Sequence, residues 1–304
     1  KGLFRNAIIQ SASSLLRMAT VKAAQRNTHY FLNALGLTQK QIDRLQDLPA
    51  QRLLEAMPAA VKAAGSVDNF RPLVDERALP AHPFDPSAPA LSIDVPLMIG
   101  WCETELRFTY SLTPEVYAIS ADEARARVAR LIGIAPDEAE RLLALYGRTR
   151  PADSPGDLFA LIHSDHQYRR NNTRAAELKA AQGGAPVYMY EFTWRTPVLD
   201  GILRTPHTLC IPFAFGNCDI ASGITGTGAD RYPLQEAVMG AWIAFARDGA
   251  PNHAKLPRWQ PFRLDQRATM MFDTPCGTVN DPAREERLAM QAQPAYEADA
   301  GFRR

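Results

Sequence analysis

Three short apolar stretches stand out along the chain: AIIQS at 7–11, VPLMIG at 95–100 and PVYMYEF at 186–192. The first two are continuous runs bounded by chain-breaking residues. Such runs suit strands covered on both faces, as in a parallel sheet between helices. The third alternates in part and is rich in Val and Tyr, which also predicts a strand. Helical periodicity fills the intervals. One helix runs from Ala19 to Leu35 and closes on Gly36, a residue suited to the position after a helix end. Thr38 with Gln41 makes a capping-box pattern ahead of IDRLQDL. Further helices are predicted over 121–131, 136–146, 154–163 and 174–181, and another from Leu234 to Arg247, ended by Asp248-Gly249. The Pro-rich passage 66–96 reads as extended loop crossing the surface. Strands separated by helical insertions define the α/β class, and no internal repeat or low-complexity segment interrupts the pattern.

Composition narrows the functional classes. With 304 residues the chain can bury a large core, as one big domain or two ordinary ones. Its 46% hydrophobic and 22% charged residues are those of a globular protein, and a net charge of +1 with scattered Lys and Arg leaves no footprint for nucleic acid. No run approaches the roughly 18 apolar residues of a membrane span. Cys102, Cys210, Cys218 and Cys276 show no CxxC or zinc-site spacing. They read as free buried thiols or, for Cys210 and Cys218 in an exported protein, as a pair across a loop. His29, His82, His163, His166 and His253 form no HxxxH or HExxH pattern, so no metal is expected. His166 is placed at the surface or near the site. The segment 223–231, GITGTGADR, lacks the Lys-Ser/Thr of a phosphate loop. Asn171-Asn172-Thr173 fits a glycosylation acceptor, a pattern that arises often by chance. The opening KGLFRNAIIQSASS carries no initiator Met and no signal peptide, and reads as the interior of a fold.

In open parallel sheets, chemistry gathers at the carboxyl ends of strands. Glu103 and Glu105 follow VPLMIG, and His207 follows VYMYEF in TPHTLCIPFAFGN. A carboxylate and a histidine after successive strands is the arrangement that orients an imidazole base. Spacing alone leaves two readings open, a base and a packed ring. Trp101 and Cys102, beside the acid loop, line a substrate pocket or pack against the helix layer. Phe213, Phe215, Trp242 and Phe245 are expected in the core.

Seven segments in one order then point to a family: GLFRNAIIQS, FRPLVDERALP, VPLMIGWCETEL, APVYMYEFTW, PHTLCIPFAFGN, WIAFARDGAPN with LPRWQPF, and MMFDTPCGTVNDPAREER. The chain resembles the type-B carboxylesterases, the para-nitrobenzyl-esterase and cholinesterase-like branch of the α/β-hydrolases. The resemblance implies the C-terminal portion of one α/β-hydrolase catalytic domain over 1–304, with a central, mostly parallel sheet. It implies that the helical stretch 106–185 builds pocket walls. The family's acid loop, aligned on Ile99-Gly100, puts the acid at Glu105, with Thr104 in the usual Asp/Asn place and Glu103 as a solvated neighbour. The histidine falls at His207. By carry-over, Ser11 would hydrogen-bond the acid, with Ala12 replacing the family's glycine, and Cys210 stands where relatives often have an acidic residue.

The nucleophile elbow G-x-S-x-G does not occur among these residues. In the family it lies a short helix upstream of GLFRNAI. The resemblance therefore implies a chain that supplies acid and base of a serine carboxylesterase but neither nucleophile nor oxyanion donors. It implies a small or medium uncharged carboxylic ester, amide or carbamate as substrate, no metal and no organic cofactor. Two alternatives accompany it: a non-catalytic, cholinesterase-like binding module, and a fragment that works only with an N-terminal partner chain.

Overall fold

The computed structural model describes residues 2–65 and 71–296. Within them lie five strands, β1 (Ala7–Gln10), β2 (Leu97–Cys102), β3 (Val187–Phe192), β4 (Ala268–Phe272) and β5 (Gly277–Asn280). They form one sheet in the order β1-β2-β3-β4-β5. The first four are parallel and β5 returns antiparallel to β4. The α-helices are α1 (Val21–Ala34), α2 (Ala50–Ala64), α3 (Arg107–Tyr110), α4 (Ala121–Ile132), α5 (Pro136–Thr149), α6 (Pro155–Ser164), α7 (Arg170–Ala180), α8 (Cys210–Phe215), α9 (Ser222–Thr225), α10 (Arg231–Asp248) and α11 (Arg284–Gln291). Among the described residues no helix is long and apolar enough to cross a membrane.

The described chain divides into two compact units, one made of 2–13 with 87–295 and one of 14–65 and 71–86 with 296. The first holds the sheet. Every residue of β2 and β3 is buried, and for β2 this is why the strand reads as a continuous apolar run. Alternate side chains define the faces. Met98, Cys102, Tyr188, Tyr190, Phe192, Met270 and Phe272 share a core with Phe213, Val238, Trp242 and Phe245 of α8 and α10. Gly100 sits flush against β3, since a Cβ there would lie 2.3 Å from the Tyr190 carbonyl oxygen. A second apolar cluster joins α4, α5 and α6 through Val128, Leu142, Tyr146, Phe159 and Ile162.

The second unit contains α1, a 3₁₀ helix over Gln39–Asp47, and α2, packed on a small core of Phe31, Ala56 and Ala60. Thr20 caps α1, and the capping box of Thr38 and Gln41 forms as expected. Gly36 takes a φ of +71°, the left-handed value its place after the helix requires. The Pro-rich passage 66–96 is largely irregular over its described part, with one 3₁₀ turn at Ala90–Ser92; 66–70 lie outside the described residues.

Several elements depart from expectation. The strand expected at 95–100 runs over Leu97–Cys102 and so delivers the acid loop two residues later. β4 and β5 had no clear periodic signal. Helix α2 has no counterpart among the predicted helices, and it holds Pro58 in its interior at the loss of one backbone hydrogen bond. Phe215, expected in the core, is 70% exposed. It stands two positions beyond buried Phe213 on α8 and so points to the opposite side. Helix α4 gives a simple stability test. The Ser120 hydroxyl accepts from the Glu123 amide at 3.2 Å and caps it. Ser120→Ala should cost about 1 kcal/mol, seen as a lower denaturant midpoint at unchanged slope.

Candidate active site

Three loops leave the carboxyl edge of neighbouring parallel strands: Ser11 after β1, the acid turn 103–106 after β2, and the segment leading to His207 after β3. Two of them are joined by hydrogen bonds of the backbone. The Thr104 amide donates to the Thr205 carbonyl at 3.1 Å, and the His207 amide to the Glu105 carbonyl at 3.0 Å. A third rung runs from the Thr205 amide to the Thr104 hydroxyl at 2.9 Å. Thr205 is itself held, its hydroxyl donating to the Trp194 carbonyl at 3.1 Å. The Thr104 hydroxyl thus helps stitch the two loops together.

On this framework the Glu105 carboxylate, whose side chain is fully buried, accepts from two donors. Oε1 takes the Cys102 amide at 2.7 Å, and Oε2 meets His207 Nδ1 at 2.5 Å. The imidazole is less enclosed, with 35% of its side chain exposed. Its Nε2 has no hydrogen-bond partner among the described residues. Burial alone would push the His207 pKa down, but the bond to Glu105 and that carboxylate's charge outweigh it and raise the pKa above its ordinary value. The ring of Tyr168 lies against the imidazole, with centroids 5.2 Å apart.

The other sequence candidates fall elsewhere. Ser11 Oγ is buried without a hydrogen-bond partner among the described residues, so the expected bond to the acid is not formed. The Ser11 backbone has a φ of +57°, in the left-handed region that favours glycine. Trp101 is buried on the face opposite the Cys102 side chain, and its indole N–H donates to Glu191 Oε1 at 3.2 Å. Cys102 is buried beside Cys210, and burial pushes its thiol well up. Cys210 accepts from Gln10 Nε2 at 3.3 Å. All four cysteines are free thiols. Glu103 is no solvated neighbour. It is buried and paired with Arg150 at 2.6 Å, because the turn that aims Glu105 at His207 aims Glu103 at α5.

Arg150 opens a buried charge cluster that sequence reading did not anticipate. It also reaches Glu286, which takes the Thr149 hydroxyl at 2.5 Å and lies 3.5 Å from Arg169. Arg169 pairs with Asp165 at 3.0 Å and donates to the Pro282 and Ala283 carbonyls. Asp165 in turn accepts from the Tyr146 hydroxyl at 2.7 Å. Glu191, buried on β3 beneath this cluster, is pushed up to about 7 by burial despite the nearby Arg169. His163 and His166 are likewise buried, which lowers them to about 3 and about 4 and leaves both neutral. His166 Nε2 bonds the Pro294 carbonyl at 3.1 Å. Asn171, of the glycosylation pattern, is buried with its amide donating to the Ser13 and Gln167 carbonyls, so it offers no accessible acceptor. No cluster of three or more His, Cys, Asp or Glu among the described residues is arranged to hold a metal.

Over nearly its whole length the chain is similar to proteins of one family. The pattern of the carboxylesterase family aligns with residues 1–291. Phenmedipham hydrolase of Pseudarthrobacter oxydans is 27% identical over 298 residues, which cover 95% of this chain and 58% of that protein. Para-nitrobenzyl esterase of Bacillus subtilis (strain 168) is 29% identical over 292 residues, covering 94% of this chain and 56% of its own. Among solved structures, the carboxylesterase EST55 of Geobacillus stearothermophilus superposes with a TM-score of 0.79 at 31% identity, over 96% of this chain and 59% of that one. The chain thus spans less than two thirds of the length of these relatives.

Proposed function

Because this chain belongs to the carboxylesterase family and has its α/β-hydrolase fold, we propose that the complete protein hydrolyses carboxylic esters through a serine acyl-enzyme, with Glu105 as triad acid and His207 as base. The observation that carries this reading is the pairing of a fully buried carboxylate with a part-exposed imidazole, 2.5 Å apart at the carboxyl edge of the sheet. The Glu105 carboxylate accepts Nδ1–H, which fixes the tautomer with Nε2 as the free base. Nε2 takes the proton of the serine hydroxyl as its oxygen attacks the ester carbonyl. It then returns that proton to the leaving alcohol, and in the second half it activates water against the acyl-serine. Glu105 stabilises the imidazolium formed in each half.

The 304 residues contain no G-x-S-x-G, so the serine and the oxyanion donors belong to the rest of the complete protein. The chain by itself should not turn over esters. Relatives bear the names phenmedipham hydrolase and para-nitrobenzyl esterase, and a small or medium uncharged ester fits their company. We assign the pocket wall to the helical stretch 106–185, within one catalytic domain. The test uses the complete protein with nitrophenyl acyl esters and a fluorophosphonate probe. Hydrolysis and labelling of a serine outside these 304 residues are expected; absence of both would defeat the assignment.

The pH dependence follows from the His207 shift. Only the neutral imidazole accepts a proton, so kcat/KM should rise with pH through a midpoint above the ordinary histidine value of about 6.5. Glu105→Gln removes the carboxylate charge and leaves at most a neutral hydrogen bond against burial, which lowers the pKa. The acid limb of the residual activity should therefore move to lower pH. A limb that stays in place or moves upward would contradict the coupling.

A further inference from the structure

Helices α6 and α7 are one continuous helical stretch interrupted by a π-turn at Asp165–Arg169. Such a turn inserts one residue into the helical ladder and re-aims the side chains on it, and it recurs at functional sites. Four of its five residues, Asp165, His166, Gln167 and Arg169, are buried. The fifth, Tyr168, is half-buried and lies against His207, with ring centroids 5.2 Å apart and planes inclined by 39°.

Two side chains bond the carbonyls of the turn. Asn171 Nδ2 donates to the Gln167 carbonyl and Asn172 Nδ2 to the Tyr168 carbonyl, each at 2.8 Å. Asn172 also donates to the Ala12 carbonyl at 3.1 Å and accepts from the Ala12 amide at 3.3 Å. The Tyr168 backbone is therefore anchored to the segment leaving β1. The neighbouring charges of the turn face away from the imidazole, since Asp165 and Arg169 are engaged with Tyr146 and Glu286. Glu105, from the acid loop, is the charged group acting on the His207 ring.

We propose that Tyr168 is a positioning residue for His207: the π-turn holds its aromatic face against the imidazole, fixes the plane of that ring and stabilises its protonated form. This deepens the reading of His207 as base and rests on it. The carboxylate holds one edge of the imidazole through Nδ1, the phenol ring packs against it at a 39° tilt, and Nε2 is left for the transferred proton. An aromatic face within about 6 Å of a cation attracts it through the ring quadrupole. Proton transfer from the serine creates that cation, so the contact strengthens in the transition state.

The experiment compares Tyr168→Leu with Tyr168→Phe in the complete protein. Both replacements are apolar, and the aromatic face separates them. The His207 titration is followed by NMR of the imidazole carbon-bound protons, identified by their loss in His207→Ala. With leucine the midpoint should fall by about half a pH unit, and the acid limb of kcat/KM should fall with it. The loss should be several-fold in kcat at unchanged KM. Phenylalanine should restore midpoint, limb and rate. If leucine leaves the midpoint unmoved, or phenylalanine behaves like leucine, the proposal is overturned. Should the leucine variant fold poorly, Tyr168→Met provides the same comparison. The titration needs no turnover, so a protein that hydrolyses no ester would defeat the esterase assignment and still decide whether Tyr168 acts on His207.

Discussion

Exchanging His207 for alanine in the complete protein should lower kcat for ester hydrolysis by on the order of 10⁵ to 10⁶, the loss seen when a triad base is removed. Nothing else in the described site can take over. His163 and His166 are buried, neutral and bonded elsewhere, to the Tyr110 hydroxyl and the Pro294 carbonyl. Glu105→Gln should cost on the order of 10⁴, because an amide can leave the imidazole in the wrong tautomer and cannot balance its positive charge. Acid and base act as a unit, so the double variant should be no slower than His207→Ala alone. Folding should survive in the histidine variant, since its ring is part-exposed and the backbone rungs of the two loops do not involve it. Steady-state rates on a nitrophenyl ester, with circular dichroism as control, decide the matter. A His207→Ala enzyme within tenfold of the native rate would remove His207 from the mechanism.

Arg169→Met should unfold the protein more readily than any surface change, by about 3–5 kcal/mol near neutral pH. The guanidinium is the shared partner of buried Asp165 and Glu286, and it also fills the Pro282 and Ala283 carbonyls. Removing it leaves Asp165 with only the Tyr146 hydroxyl among the described residues, while Glu286 retains Arg150 and Thr149. Burial already raises the Asp165 pKa, with Arg169 acting against it. Without Arg169 that pKa climbs further, so the folded state gains more from protonating Asp165. The destabilisation should therefore shrink as pH falls. Adding Asp165→Asn and Glu286→Gln should recover much of the loss, since the two carboxylates that paired with Arg169 are then uncharged. Urea titration at two pH values measures all three statements. A loss below about 1 kcal/mol for Arg169→Met would show that the cluster is not held by this residue.

How far sequence could go is visible in particular residues. β1, β3 and α10 are legible because their signals are local: an apolar run with breakers, a Val- and Tyr-rich stretch that alternates in part, and a long periodic helix ended by Asp248-Gly249. β4 is not, as its ATMMF carries two methionines with little strand preference and its partner β5 is only GTVN. The start of α7 was missed for a related reason. Residues 163–173 are so polar that they read as a break, yet most are buried and satisfied by long-range partners. The family pattern named Glu105 and His207, and the structure brings those two side chains together. It could not show that Thr104 joins the loops, that Glu103 faces Arg150, or that Tyr168 meets His207. Each depends on a contact between elements far apart in the chain.

The rungs between Thr104, Glu105, Thr205 and His207 have a consequence for where the alignment of acid and base is settled. Two side chains on independent loops would have to find each other anew in every catalytic cycle, at the expense of conformational entropy. Here the meeting is fixed once, when the polypeptide folds. The carboxylate confronts the imidazole at an effective molarity that no diffusing partner could match, a quantity that reaches about 10⁵–10⁸ M in well-oriented intramolecular reactions. Under the proposed mechanism, binding energy from a substrate would not be drawn on to assemble this pair and would stay available for acyl transfer.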